Sequence, residues 1–362
     1  MRTLIIRGNP RPIGYTRQMT DLVVQGLREV HAQVKDVTLS DLTLLPCRGC
    51  YHCWQITPGQ CVHGDDMGPL LEEVRRAEVM IWTTPVYYFS MSALLKTFIE
   101  RCFPLYAHGQ GVTRRGRTRN RLRYPEEWQN KKLITLLVGA LRDPAAYQPA
   151  LDTFEWIADS FDFELGGQLV RPESYLADYP LSKPKTIKRI RTAFLQAGRE
   201  AGTTGRLSPE TLANASLPVS PDEQHFRDYS EIYWTHALPL GDEGLVPSKV
   251  QKHVAYDVRI LMREMVRAFD PRAAAHAKVI VQFLFPDRQL AFVIRVDHGQ
   301  CALEEATDPN PDLTVRCDAR TWASLFVDRV DVRELLKNHR ITLEGDKSLF
   351  RRLERWFPPP SA

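Results

Sequence analysis

Residues 3–16 read Thr3-Leu-Ile-Ile-Arg7-Gly8-Asn9-Pro10-Arg11-Pro12-Ile13-Gly14-Tyr15-Thr16. The first five form a short β-rich run, and glycine and proline then punctuate a loop. Beyond it, Met19, Leu22, Val23, Gly26, Leu27 and Val30 recur at steps of three and four, which puts them on one face of a helix beginning near Gly14. Strand, loop and helix in this order open a nucleotide-binding α/β unit. The free N–H groups of a first helical turn, reinforced by the helix dipole, suit a phosphate. Thr16 adds a hydroxyl there and Arg11 a planar cation. An ordinary loop with a threonine cap would read the same, so the neighbouring segments carry the choice.

They repeat the alternation. Strands are predicted over Val34–Leu39, Glu78–Thr84, Lys132–Gly139 and Phe163–Val170. Between and after them lie amphipathic helices, marked by Met67, Leu70, Leu71, Val74 and Ala77, by Leu151, Phe154, Ala158 and Phe161, and by Ile187, Ile190, Phe194 and Ala197. Asp65 and Asp66 could be an acid pair, but their place before a helix favours a cap. Five strands alternating with helices imply a doubly wound parallel sheet ordered 2-1-3-4-5. Ligands of such sheets bind beyond the carboxyl ends of the strands, where the order reverses. The loops after strands 1, 2 and 3 therefore become neighbours.

The second of those loops is Cys47-Arg-Gly-Cys50-Tyr-His-Cys53-Trp-Gln-Ile-Thr-Pro-Gly-Gln-Cys61, which holds four of the seven cysteines. Four thiolates at this spacing suit a 4Fe-4S cluster. Zinc takes four thiolates too, usually from two separated hairpins, and redox-active or free thiols are the third reading. His52 and His63 read as loop residues, because four cysteines already complete a tetrahedral set. Cys102, Cys301 and Cys317 stand alone and read as buried apolar residues.

At 362 residues, 43% hydrophobic and 25% charged, the chain has the composition of two soluble domains. A net charge of +4 does not point to nucleic acid. The one charge run, Arg114–Arg123, reads as a solvated loop rather than a dinucleotide-phosphate patch. The first apolar run is too short for a signal peptide, and no later run approaches a membrane span, so the expected compartment is the cytoplasm.

Residues 1–205 form the expected first domain. A linker, 206–248, follows, with Ser208-Pro and Ser220-Pro as turn or helix-start signals. Its piece carrying Phe226, Tyr229, Ile232, Tyr233 and Trp234 is apolar enough for a packing helix. Residues 249–362 reset to a smaller α+β pattern: a helix through Val254–Met265, a hairpin of 278–285 with 289–296, a strand at 312–317, two short helices, 340–346, and a closing helix.

The first domain resembles the flavodoxin-like NAD(P)H-dependent FMN reductases, and within them the iron–sulfur flavoproteins. Gly8–Thr16, Thr84–Arg101, and the four cysteines followed by Asp65-Asp66-Met67 carry the likeness. The resemblance implies FMN held at Asn9, Arg11, Gly14, Tyr15 and Thr16, with its ring against Pro85, Val86, Tyr87, Tyr88 and Ser90. It also implies a 4Fe-4S cluster on Cys47, Cys50, Cys53 and Cys61, NAD(P)H as electron donor, a small-molecule acceptor and a homodimer. The sequence departs from the pattern at Asn9, Tyr15, Phe89 and Ala93. Asn9 and Tyr15 remove two usual phosphate contacts. The second domain resembles the sterol-carrier-protein-2 (SCP2) lipid-binding domain through Phe283, Asp297-His-Gly, Pro311–Val315 and Ile341–Asp346, which implies an apolar-ligand tunnel. No side chain is expected to act as a catalytic acid or base. The rival reading is a non-enzymatic lipid carrier on a degenerate flavodoxin scaffold.

Overall fold

The computed structural model describes residues 1–176 and 184–358. It divides into two compact units, the first ending at Phe226 and the second running on from Arg227.

In the first unit, β1 (Arg2–Arg7), β2 (Gln33–Thr38), β3 (Val79–Pro85), β6 (Lys132–Val138) and β7 (Glu164–Arg171) make one parallel sheet ordered β2-β1-β3-β6-β7. This is the expected flavodoxin-like order, since β4 (Tyr106–Val112) and β5 (Thr118–Leu122) lie outside the sheet. All seven residues of β3 are buried, as a central parallel strand covered on both faces requires. On one face, Leu4, Ile6, Met80, Trp82, Leu133 and Leu137 pack against α3 (Met67–Arg76), α4 (Ala93–Glu100) and α5 (Gln148–Ser160). Trp82 sits at the centre of that core, with the rings of Phe98, Phe154, Phe161 and Phe163 around it. The helices α1 (Tyr15–Glu29) and α6 (Pro184–Thr203) pair with each other. They meet backbone to backbone: a Cβ on Gly26 would lie 2.0 Å from the Leu195 carbonyl oxygen, and one on Gly198 2.1 Å from that of Val23.

The arginine-rich stretch is not a free loop. It completes an antiparallel hairpin of β4 (Tyr106–Val112) and β5 (Thr118–Leu122). Carboxylates on and just after α5 absorb its charge. Arg117 reaches Asp159 at 3.5 Å and stacks on Trp156, Arg119 meets Asp162 at 2.5 Å, and Arg115 meets Glu155 at 3.9 Å. Neutralised at short range, a run of like charge no longer needs solvent. Two helices follow α6: the short α7 (Pro209–Ala215), capped by Ser208, and the longer α8 (Glu223–Ala237), which carries the aromatic stretch.

The second unit holds a mixed sheet ordered β10-β9-β8-β11-β12, with α9 (Pro247–Val254) and α10 (Val258–Arg267) before it. Its strands are β8 (Lys278–Phe285), β9 (Leu290–Asp297), β10 (Gln300–Glu304), β11 (Leu313–Cys317) and β12 (Ile341–Gly345). The sheet is followed and interrupted by α11 (Ala319–Val327), α12 (Val332–Lys337) and α13 (Ser348–Trp356). β8 and β11 are parallel, and the other pairs antiparallel. This is a separate α+β unit, with one strand beyond those predicted. β10 turns back on β9 through His298 and Gly299, both at positive φ, the geometry of a two-residue hairpin loop. Phe283, which carries the likeness to a tunnel-forming domain, is buried in the core with its ring centre 5.1 Å from that of Trp322, which also meets Phe285.

Candidate functional site

Three loops leave the carboxyl ends of β1, β2 and β3, and a fourth leaves β6. The first wraps the amino end of α1. Gly14 stands at the N-cap position with φ of +140°, no side chain caps the helix, and no acidic residue lies in its first turn. A Cβ on Gly14 would meet nothing within 4 Å, so the turn opens on free space. The bare N–H groups and their dipole make an anion cradle. Arg11 is exposed and makes no ion pair among the described residues, so its charge is available there. Asn9 and Tyr15 face inward instead: Asn9 Nδ2 donates to the Arg11 carbonyl at 2.8 Å, and the Tyr15 hydroxyl donates to the Tyr175 carbonyl at 3.3 Å. Thr16 is buried at the same turn. Arg11 and Gly14 thus border the open space, whereas Asn9 and Tyr15 shape it from behind.

The third loop is a tight turn. Tyr87 and Ser90 exchange both backbone hydrogen bonds, at 2.9 and 3.0 Å, while Tyr88 and Phe89 both have positive φ, 46° and 63°. Non-glycine residues at both central positions store strain, which recurs where a ligand is gripped. Tyr88 is 97% exposed. A hydroxyl that sequence reading passed over locks this loop to the first one. Ser92 Oγ donates to the Gly8 carbonyl at 2.6 Å and accepts from Leu95 N–H, capping α4, while Ser92 N–H donates to Thr84 Oγ1 at 2.9 Å.

The loop after β6 was also missed, because Gly139–Tyr147 matches no recognised ligand-binding motif. With Val86, Tyr88 and Phe89 it walls a cleft of about 280 Å³, lined by Gly139, Ala140, Leu141, Ala146 and Tyr147. Tyr147 holds the loop by donating to the Leu141 carbonyl at 2.7 Å. A second cleft of about 360 Å³ shares Phe89, Leu141 and Ala146 and is walled by Arg142 and Phe226. Arg142 is a strut: its Nε donates to Ser220 Oγ at 3.1 Å and lies 3.3 Å from the fully buried Glu173 carboxylate. The first cleft has an apolar lining, whereas the second is also lined by Arg142, Asp143 and Glu223.

The second loop brings Cys47, Cys50, Cys53 and Cys61 around one small cavity of about 40 Å³, together with His63 and Arg101. Residues 43–51 form no helix or strand, and α2 (His52–Gln55) supplies Cys53. Burial pushes the Cys53 thiol up to about 11, and the other three sulfurs add to the rise. Among the described residues, however, no three His, Cys, Asp or Glu side chains converge tightly enough to hold a metal ion. The donors are thus gathered and chemically suited to soft ligation, without a preformed ion site. Two arginines fix the loop. Arg123 donates to the Cys53 carbonyl at 3.3 Å. Arg101, 1% exposed, makes a bidentate pair with Asp65 at 2.6 and 2.8 Å and donates to the Leu45 carbonyl at 2.6 Å. Asp66 stands at the N-cap of α3 without a side-chain cap bond, while Asp65, one residue earlier, accepts from Met67 N–H and from Leu45 N–H, and the Arg101 guanidinium holds its carboxyl well below the usual range. The isolated thiols are passive: burial pushes Cys301 up to about 11 and Cys317 up to about 12.

Residues 1–150 match the NADPH-dependent FMN reductase family, and residues 260–361 match the alkyl sulfatase C-terminal family. The second match corrects the expected SCP2-like assignment. That likeness rested on Phe283, the Asp297-His-Gly turn, Pro311–Val315 and Ile341–Asp346, which lie on strands and a hairpin turn whose pattern other half-buried sheets can share. An iron–sulfur flavoprotein of Archaeoglobus fulgidus is 35% identical over 108 residues, 30% of this chain and 48% of that protein. One of Methanocaldococcus jannaschii is 32% identical over 105 residues, 29% of this chain and 53% of that protein. The chain spans about half the length of these curated relatives. The solved azoreductase of Bacillus anthracis str. Sterne is 15% identical, with a TM-score of 0.42 over 56% of this chain and 98% of that one. No helix among the described residues is long and apolar enough to cross a membrane.

Proposed function

We propose that the protein is an FMN-dependent NAD(P)H oxidoreductase that passes electrons to a small-molecule acceptor. The observation that carries this reading is the lock between two ligand loops: Ser92 ties Gly8, at the mouth of an uncapped helix, to Thr84, at the root of the strained Tyr87–Ser90 turn. An anion cradle and an aromatic rim so joined suit one ligand with a phosphate at one end and a flat ring at the other. Arg11, Gly14 and Thr16 would hold the phosphate, and Pro85, Val86, Tyr87, Tyr88 and Ser90 would border the ring. FMN, when bound, supplies the hydride and electron chemistry. The chain's own part is to bind, orient and shield: Tyr88, Phe89 and Leu141 stand exposed at the cleft, where they would cover a bound ring, and the acceptor enters beside them. Cys47, Cys50, Cys53 and Cys61 would hold an iron–sulfur cluster on the same edge, consistent with their shared cavity and with the names of the relatives. A soluble homodimer in the cytoplasm completes the proposal.

The test is purification without oxygen, followed by a visible spectrum, flavin release, iron and sulfide assay, and anaerobic reduction by NADPH and by NADH. Flavin bands bleached by either nucleotide support the oxidoreductase. A colourless protein that takes up no added FMN overturns it. Zinc or bare thiols in place of iron and sulfide would overturn the cluster alone.

A further inference from the structure

The cavity lined by the four cysteines has a second property. Two buried nitrogen atoms on its wall, Arg101 Nε and His63 Nε2, make no hydrogen bond. Buried polar groups are nearly always paired, and an orphaned one asks what pairs it in the working state. Here both residues line the cavity that the four cysteines also line. Arg101 cannot turn to solvent: its two Nη groups are committed to Asp65 and to the Leu45 carbonyl, and its side chain lines the cavity. An occupant rich in negative acceptor sulfur would satisfy both nitrogens; a bare apolar filling would satisfy neither.

We propose that Arg101 Nε and His63 Nε2 donate hydrogen bonds to the sulfur atoms of a cluster bound by Cys47, Cys50, Cys53 and Cys61, and that these two donors raise its reduction potential. The inference rests on the cluster reading above. Its physical basis is that reduction adds negative charge to the sulfurs, and donors aimed at them stabilise the reduced form more than the oxidised one. Asp65 is the positioning residue, because it fixes the plane of the guanidinium.

The full chain, purified without oxygen, is titrated with a redox mediator and followed by electron paramagnetic resonance, alongside iron and sulfide content. His63→Leu is expected to keep iron and sulfide at the wild-type level yet to lower the reduced-to-oxidised ratio about fivefold at a fixed poised potential. His63→Gln, which retains an N–H donor, is expected to restore most of that ratio. Arg101→Met should shift the ratio the same way, with the flavin bands reporting that the unit still folds. Unchanged ratios in His63→Leu with a full cluster would overturn the proposal while leaving the cluster reading intact. Wild-type protein without iron and sulfide would overturn both.

Discussion

Replacing Asp65 by asparagine would leave the Arg101 guanidinium buried with no counter-charge. Side-chain exposure is 1% for Arg101 and 4% for Asp65, so neither charge can recover its hydration by a small movement. Breaking a buried pair from one side costs about 3–5 kcal/mol. Asn can still accept from either Leu45 or Met67 N–H, so Asp65→Asn belongs at the lower end, about 3 kcal/mol. Arg101→Met strands the carboxylate with two backbone donors and should cost about as much. The double variant removes both charges together, so its cost should fall short of the sum by about 2–3 kcal/mol. The assay is urea unfolding of the full chain, read from the first unit's transition by the fluorescence of Trp82 and Trp128, both buried there. Acid supplies a second check. Because the folded carboxyl titrates well below its unfolded value near 3.9, the pair's contribution is fully present above that value and fades as pH falls through the folded one. The gap between wild type and Asp65→Asn should therefore hold from neutrality to about pH 5 and shrink below about pH 4. Costs that add within about 0.5 kcal/mol would refute the reasoning, since uncoupled sites add.

Gly14→Val puts a branched side chain at φ of +140° and should cost about 1–3 kcal/mol, with FMN affinity, measured by flavin fluorescence, weakened about tenfold or more. Tyr88→Gly and Phe89→Gly relieve positive-φ strain, so melting temperature should hold or rise while FMN affinity falls; a melting temperature lower by several degrees would count against the strain account. Burial holds the Lys131 ammonium down at about 8, against an unfolded value near 10.4, so its penalty is full below pH 8 and is relieved as pH rises past it. Stability of the first unit should climb between about pH 8 and 10 in a urea series, and Lys131→Met should flatten that climb.

Local order was legible in the chain wherever burial imposes a period. Leu4, Ile5 and Ile6 announce a central strand, and Met19, Val23 and Leu27 a helix face, so the parallel sheet and its strand order followed from alternation alone. The cysteine window and the Gly14 turn were legible for another reason: their chemistry sits within a few residues of sequence. What stayed hidden depends on partners far along the chain. Arg115, Arg117 and Arg119 read as a repelling run until α5 supplies Glu155 and Asp159, with Asp162 just beyond it. Arg101 and Asp65 lie 36 residues apart, and nothing in either neighbourhood names the other.

The sequence by itself determined the order of strands and helices, the glycine that opens the first helix, and the clustering of four thiols, because each is set by neighbours in the chain. Folding in three dimensions added that Ser92 ties two loops together, that Gly139–Tyr147 walls a cleft, and that His63 and Arg101 bring unpaired buried nitrogens to the residues lining the cysteine cavity. Those are relations across space, fixed when packing brings distant segments together and removes the water that would otherwise have satisfied them.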